Sequence, residues 1–230
     1  MFYWYIDPLY LWLIVIILLI SGGVQLYLQR TYKRWGAMVS STRQTGTQVA
    51  QTIFARTNVK PIPVQTIGGN LTDHFDPREN VVRLSQAIAT QGSIAAMAVT
   101  AHELGHVQQY QQRSPMIAAR NILLPALQFT PTLSYIALLM GIIFNLTGLI
   151  WLGIIFFALM VLFSILTVPI EFNASNRGMK LLEESGLINT DVDRQGARSL
   201  LRAAGLTYVA AAVTSVLQLL YLITVARRSA

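Results

Sequence analysis

The chain has no cysteine and only three histidines, His74, His102 and His106. The first absence excludes disulfides and thiolate metal sites. Any metal must therefore be held by histidine and carboxylate. Charge is scarce as well. Charged residues make up 12% of the 230, against 53% hydrophobic, whereas a soluble globular chain carries about 25%. That deficit points to a lipid bilayer. There is no internal repeat, low-complexity tract, phosphate loop or nucleotide motif.

Most charges that do occur are basic, for a formal net charge of +7. Fifteen of the seventeen Lys and Arg lie between Arg30 and Arg202, outside the long apolar runs. No basic helix interleaved with aromatics offers itself to nucleic acid. Nucleic acid is therefore not expected as a partner, and an anionic membrane surface is.

Leu9 to Leu28 carries no charge. Twenty helical residues rise about 30 Å, enough to cross the hydrocarbon core. The preceding segment has Asp7 and no Lys or Arg, unlike a cleaved signal peptide, so a retained anchor is expected. Tyr3, Trp4, Tyr5 and Tyr10 suit an interfacial aromatic belt. Asn121 to Ile170 is also uncharged. Fifty helical residues would rise about 75 Å, too long for one crossing. A break near Asn145-Leu-Thr-Gly148 gives a hairpin of two spans, 125–144 and 149–168. Pro131 and Pro169 are expected to kink or end helices. Leu206 to Ala226 makes a fourth span. Five segments result: an anchor helix at 1–29, a polar region at 30–120, a hairpin at 121–170, a polar segment at 171–205 and a last helix at 206–230.

The hairpin returns the chain to the side it left, so both polar segments share one face. The positive-inside rule makes that face cytoplasmic. Four spans put both termini outside, which Arg227 and Arg228 oppose. Asn70-Leu-Thr72 and Asn145-Leu-Thr147 match glycosylation sequons and are read as incidental.

Within the polar region, Gly36 to Arg56 reads as a surface helix, stopped by Lys60-Pro-Ile-Pro63. Val64–Ile67, Leu71–Phe75 and Val81–Leu84 read as short extended pieces. Ser93 caps a helix from Ile94 to about Gln112.

That helix carries Ala101-His-Glu-Leu-Gly-His106. His102 and His106 are four apart, so both imidazoles share one face and can reach one ion. Zinc suits two nitrogens in a tetrahedral site with one open position. Glu103 is offset by one residue, where a base must sit to take a proton from a metal-activated water. Gly105 costs about 1 kcal/mol of helix propensity relative to Ala, which implies a packing reason. The bland alternative is two surface histidines on an amphipathic helix. The small apolar run Ile94 to Ala101 argues against it, because such a helix can be buried.

A third ligand is needed. Glu171, His74, Glu183, Glu184 and the aspartates are candidates, and the residues alone favour Glu171 only slightly over His74. Glu171 follows the third span, where a carboxylate could equally cap a helix N-terminus.

The sequence resembles the YugP-type neutral zinc metallopeptidases, a family of small bacterial membrane proteins. Phe2-Tyr-Trp with Asp7-Pro8, Leu71-Thr-Asp-His-Phe-Asp-Pro77, Arg83-Leu-Ser85 and Ser93-Ile-Ala-Ala96 carry the likeness. So do His102-Glu-Leu-Gly-His106 with Gln109, Pro169-Ile-Glu-Phe-Asn-Ala-Ser175 and Leu206-Thr-Tyr-Val-Ala210. More distantly it resembles heat-shock membrane metalloproteases and prenyl-protein endopeptidases. These have His-Glu-x-x-His, a membrane hairpin, then Glu-x-x-x-Asp. The resemblance implies that Glu171 is the third zinc ligand. Where the distant families have Asp, this chain has Ser175, which carries no charge to support a ligating histidine. Asn173 and Asn176 are alternatives for that support. His74, in Asp73-His74-Phe75-Asp76, is read as a turn residue before a substrate-facing one. The extended pieces could offer an edge to a peptide strand.

The expectation is a mainly α integral membrane protein with about four transmembrane helices and a small α+β zincin-like metallopeptidase unit. It would hold one zinc ion per chain on His102, His106 and Glu171, with Glu103 as base. It would sit in the cell membrane as a multi-pass protein, hydrolysing peptides or proteins on the cytoplasmic side, membrane proteins among the candidates. The competing reading is a zinc-containing scaffold or binding protein without proteolysis. Glu103 argues against it, since a structural site needs no base. A lipid-modifying hydrolase is a further class.

Overall fold

A computed structural model describes residues 7–228. Tyr3, Trp4 and Tyr5 of the expected aromatic belt, and the Arg228 side chain, lie outside the described residues. The chain is mainly helical: α1 Pro8–Gly36, α2 Gly46–Arg56, α3 Gln86–Thr90, α4 Ile94–Gln111, α5 Pro115–Leu127, α6 Thr130–Ile143, α7 Thr147–Glu184 and α8 Asp191–Arg228. One small sheet is made by β1 Val64–Ile67, β2 His74–Asp76 and β3 Val81–Ser85.

Contacts divide the described chain into two compact units, one of residues 26–117 and 169–206, the other of 7–25, 118–168 and 207–228. Helices α1, α5, α7 and α8 each contribute to both.

In the first unit β3 is the central strand, in the order β1-β3-β2. It pairs parallel with β1, Val64 against Val82, and antiparallel with β2, His74 against Arg83. Val81, Val82, Leu84 and Ser85 of β3 are buried. The core joins Val49 and Ile53 of α2, Val82 and Leu84 of β3, Ile94, Met97 and Leu104 of α4, and Leu181 and Leu182 of α7. Helix α4 is buried on most sides, which explains why Ile94 to Ala101 is uniformly small and apolar and not amphipathic. Ser93 caps it, its Oγ accepting from the Ala96 N–H at 3.1 Å. Helix α2 is ten residues shorter at its start than the run 36–56. Thr45 and Gln48 form a capping box there, a local start signal that outweighs the polar run before it.

In the second unit, Ile150, Ile154 and Ala226 cluster with Leu138, Trp151 and Leu222. The Ser134 hydroxyl donates to the Gly153 carbonyl at 2.9 Å. Many large apolar side chains are exposed, among them Leu18, Leu19, Ile122, Ile143 and Leu220, as suits lipid contact. Among the described residues three helices, α1, α7 and α8, are long and apolar enough to cross a membrane, and α5 with α6 would make a fourth across a 48° bend.

The extended piece read at Leu71–Phe75 also differs, since β2 begins only at His74 after Leu71 takes a positive φ that a strand does not accommodate, and two boundaries in the apolar segments differ as well. The span drawn at 125–144 is broken, since α5 ends at Leu127 and α6 begins at Thr130. Alone, the fourteen residues of α6 rise only about 21 Å. Pro131 lies in the first turn of α6, where its missing N–H is harmless. Pro169, expected to kink or end a helix, lies inside α7, which runs on to Glu184. A single proline removes one i to i−4 bond, and fifteen further residues of helix outweigh it. Glu171 is thus not a helix-capping carboxylate.

Candidate metal centre

Two glycines set the spacing of the site. A Cβ at Gly105 of α4 would lie 2.3 Å from the Ala174 carbonyl oxygen, and one at Gly178 of α7 would lie 2.8 Å from the Ala101 carbonyl oxygen. Each helix removes its side chain where the other's backbone passes. This is the packing reason for the propensity cost at Gly105. The close crossing carries Glu171 of α7 to the His102–His106 face of α4.

There Glu171 Oε2 stands 3.3 Å from His102 Nε2 and 3.4 Å from His106 Nε2. The imidazoles meet edge to face, with centroids 4.8 Å apart. Oε2 is buried and has no hydrogen-bond partner among the described residues. The two short contacts are ion-pair distances without hydrogen-bond alignment. An orphaned buried carboxylate oxygen is costly unless something completes it. One cation between the three atoms would do so. Ligand atoms about 2.0–2.2 Å from a tetrahedral zinc stand roughly 3.3–3.5 Å from one another, close to the two separations observed. The donor set, two imidazoles and a carboxylate, is one that zinc accepts. The residues therefore fit the ion.

The far side of each ring is also engaged. His102 Nδ1 lies 3.2 Å from Ser175 Oγ, and His106 Nδ1 lies 3.0 Å from Gln109 Oε1. Gln109 is fully buried. Its Nε2 donates to the Ile170 carbonyl and to Asn173 Oδ1, both at 2.9 Å. The Arg177 Nε–H donates to the same Asn173 Oδ1 at 2.8 Å. Ser175 and Asn173, both candidates in the sequence, thus touch the site's outer layer, whereas Asn176 lines a neighbouring polar hollow with Gln108, Arg177 and Lys180. The parts played by Gln109 and Arg177 were not read from the sequence. Gln109 stands three residues after His106 and so shares its face, which is a usable signal. Nothing in the sequence singles out Arg177.

Glu103 is 7% exposed. Burial drives its pKa up, and the neighbouring His102 and His106 only partly offset this. A carboxyl so raised can both hold and release a proton. For His106, burial works against the charged form, but the Glu171 and Glu103 carboxylates outweigh it and lift the pKa above its ordinary value. His74 does not join the group. It is exposed at the start of β2, with Nδ1 donating to the Thr72 carbonyl at 2.8 Å. Its neighbour Asp73 accepts from the N–H and hydroxyl of Ser85. Glu183 is engaged with Arg194. Among the described residues, the group able to hold a metal is His102, His106 and Glu171, whose ligand atoms lie within 4.8 Å of one another.

Comparison with known proteins points to zinc as the metal. The family model described as "Putative neutral zinc metallopeptidase" matches residues 10–227. The chain is 34% identical over 212 residues to "Putative membrane protease YugP" of Bacillus subtilis (strain 168), covering 92% of this chain and 94% of that protein. No solved structure matches it. With nearly its whole length matched, the chain belongs to the family described as "Putative neutral zinc metallopeptidase".

Proposed function

We propose that this protein is a multi-pass membrane zinc metalloendopeptidase that hydrolyses peptide bonds, with membrane proteins among its substrates. The observation that carries the reading is the buried, unpartnered Glu171 Oε2 between two imidazole nitrogens, one residue of helix from a buried glutamate. His102, His106 and Glu171 would hold the metal. A zinc ion bound by three protein ligands supplies a Lewis acid that polarises a carbonyl and lowers the pKa of water to about 7.

The chain's own residues supply the rest. Glu103 takes a proton from the attacking water and gives it to the leaving amine. Burial raises its proton affinity and the two histidines partly offset this, so one carboxyl can take the proton and pass it on. Burial of Glu103 and Glu171 keeps bulk water from screening these charges. The zincin-like character of the unit is part of the same proposal, supported by α4 lying beside the small sheet. Fifteen basic residues in the two polar segments support a cytoplasmic site by the positive-inside rule.

The test is digestion of casein by the purified full-length protein, with and without a zinc chelator. Cleavage that stops with chelator and returns with zinc is expected. A zinc-loaded protein that cleaves neither casein nor membrane-protein substrates would instead be a zinc-containing scaffold. Because the chain lacks cysteine, single cysteines introduced at exposed positions such as Lys60 and Lys180 can be labelled from either side. Labelling only from outside the cell would reverse the topology.

A further inference from the structure

We propose that Gln109 is a positioning residue that fixes His106 as its Nδ1–H tautomer, leaving the Nε2 lone pair turned toward Glu171. Asn173 and Arg177 in turn fix Gln109. The inference rests on the zinc reading for its purpose, but the tautomer itself follows from hydrogen-bond polarity on the Gln109 side of the ring, where the acceptor lies at 3.0 Å against 3.4 Å for Glu171 Oε2.

A neutral imidazole carries one N–H and one lone pair, and only the lone pair can bind a metal. Which nitrogen holds the hydrogen depends on what the other groups around the ring demand. The chain of demands starts at Arg177. A guanidinium has donors and no acceptor, so the Asn173 atom 2.8 Å from its Nε must be the amide oxygen. That oxygen also lies 2.9 Å from one terminal atom of Gln109. Two acceptors cannot pair, so this atom must be the Gln109 nitrogen. The Ile170 carbonyl can only accept, and it stands 2.9 Å from the same atom. It makes the same demand independently. The Gln109 oxygen is therefore left facing His106 Nδ1 at 3.0 Å. An amide oxygen cannot donate, so Nδ1 carries the hydrogen. In the neutral ring Nε2, 3.4 Å from Glu171 Oε2, then keeps its lone pair.

A flipped Gln109 would set its oxygen against both the Ile170 carbonyl and Asn173 Oδ1. The residue is fully buried, so water cannot relieve those contacts. Arg177 cannot yield either, because its Nη1 is held by Gln108 Oε1 at 2.8 Å and Gln112 Oε1 at 2.6 Å. Its charge faces the polar hollow it lines with Lys180, so the anchor does not need a buried counter-ion. His102 has no such device. Its partner Ser175 is a hydroxyl, able to donate or accept, and it leaves that tautomer undetermined. The site thus has one histidine committed before metal arrives and one that is not.

The test uses the full-length protein in detergent, stripped of metal, with 15N-labelled histidine, taken up in pH until the His106 ring has lost its second proton. Only three histidines need assignment, and His→Gln variants provide it. Wild-type His106 should show a protonated Nδ1 and an unprotonated Nε2, with His102 mixed. A His106 protonated at Nε2 in that spectrum would overturn the proposal without any variant. Gln109→Leu should lose the bias and weaken zinc binding by about 10–100-fold, the usual effect of removing such a partner, read by chelator competition. A Gln109→Leu protein with unchanged tautomer and zinc affinity would also overturn it. If the wild type shows the expected tautomer yet binds no zinc, the functional reading fails and the tautomer assignment stands.

Discussion

Gly105 and Ala174 approach so closely that a methyl group on Gly105 would lie 2.3 Å from the Ala174 carbonyl oxygen. The contact is backbone against side-chain space, so it cannot be relieved by a rotamer change. Gly105→Ala should push α7 away from α4 and move Glu171 off the two imidazoles. A destabilisation of about 1–3 kcal/mol is expected, measured by thermal unfolding in detergent, together with weaker zinc binding. Gly148→Ala is the control, since nothing lies within 4 Å of its added carbon. It should stay within about 0.5 kcal/mol of wild type.

Removing the third ligand separates folding from metal binding. Glu171→Gln replaces an oxygen that has no hydrogen-bond partner by an amide that can turn a donor toward the imidazoles. The metal-free protein should therefore fold as before or slightly better. Zinc affinity should fall by more than the about 10–100-fold seen when only an outer partner is lost. Metal analysis after dialysis against a weak chelator checks this. Full zinc retention would exclude Glu171 as a ligand.

Ser175 offers His102 a neutral partner at 3.2 Å. Ser175→Asp would give that ring an obligate acceptor and a negative charge, raising its basicity as a ligand. Zinc binding should tighten, by up to about 10-fold on the same scale. Chelator competition measures it, and a weaker affinity would show that burial of the new charge at this site outweighs the gain.

The pH dependence of stability should reverse on loading the metal. Both Glu103 and His106 have raised pKa values in the metal-free fold. The native state then binds more protons than the unfolded state between the two sets of values. Stability must fall as pH rises through that window, which begins near the ordinary carboxylate value, about 4.3, and extends above the ordinary histidine value, about 6.5. Zinc requires neutral imidazoles, so the loaded protein should instead lose stability as pH falls. Unfolding temperatures across this range, with and without zinc, test both signs.

Much of the site was legible because its signals are local. The spacing of His102 and His106 follows from helix geometry, and Ser93 announced the helix. Val64–Ile67 was readable as a strand because Lys60-Pro-Ile-Pro63 and Gly68-Gly69 bracket it. Glu171 was harder, because sixty-four residues lie between it and His106 and the residues alone favoured it only slightly over His74. The reciprocal glycines that bring it in, Gly105 and Gly178, are a pairwise feature, invisible until both helices are placed. Pro169 does not end the helix, one of the two outcomes read for it, because the length of α7 carries the helix through. The Gln109 relay depends on which end of each amide faces which neighbour, and that is decided only by the assembled network.

The central claim is that Glu103 does the proton transfer beside a metal held by His102, His106 and Glu171. Its most direct test is a paired measurement on wild type and Glu103→Gln, determining zinc content and casein cleavage on the same purified samples. The expected result is equal zinc, near one per chain, with cleavage by the variant reduced by about 10²–10⁴-fold, as for loss of a general base. Undiminished cleavage by Glu103→Gln, or a wild type that holds no zinc, would contradict it.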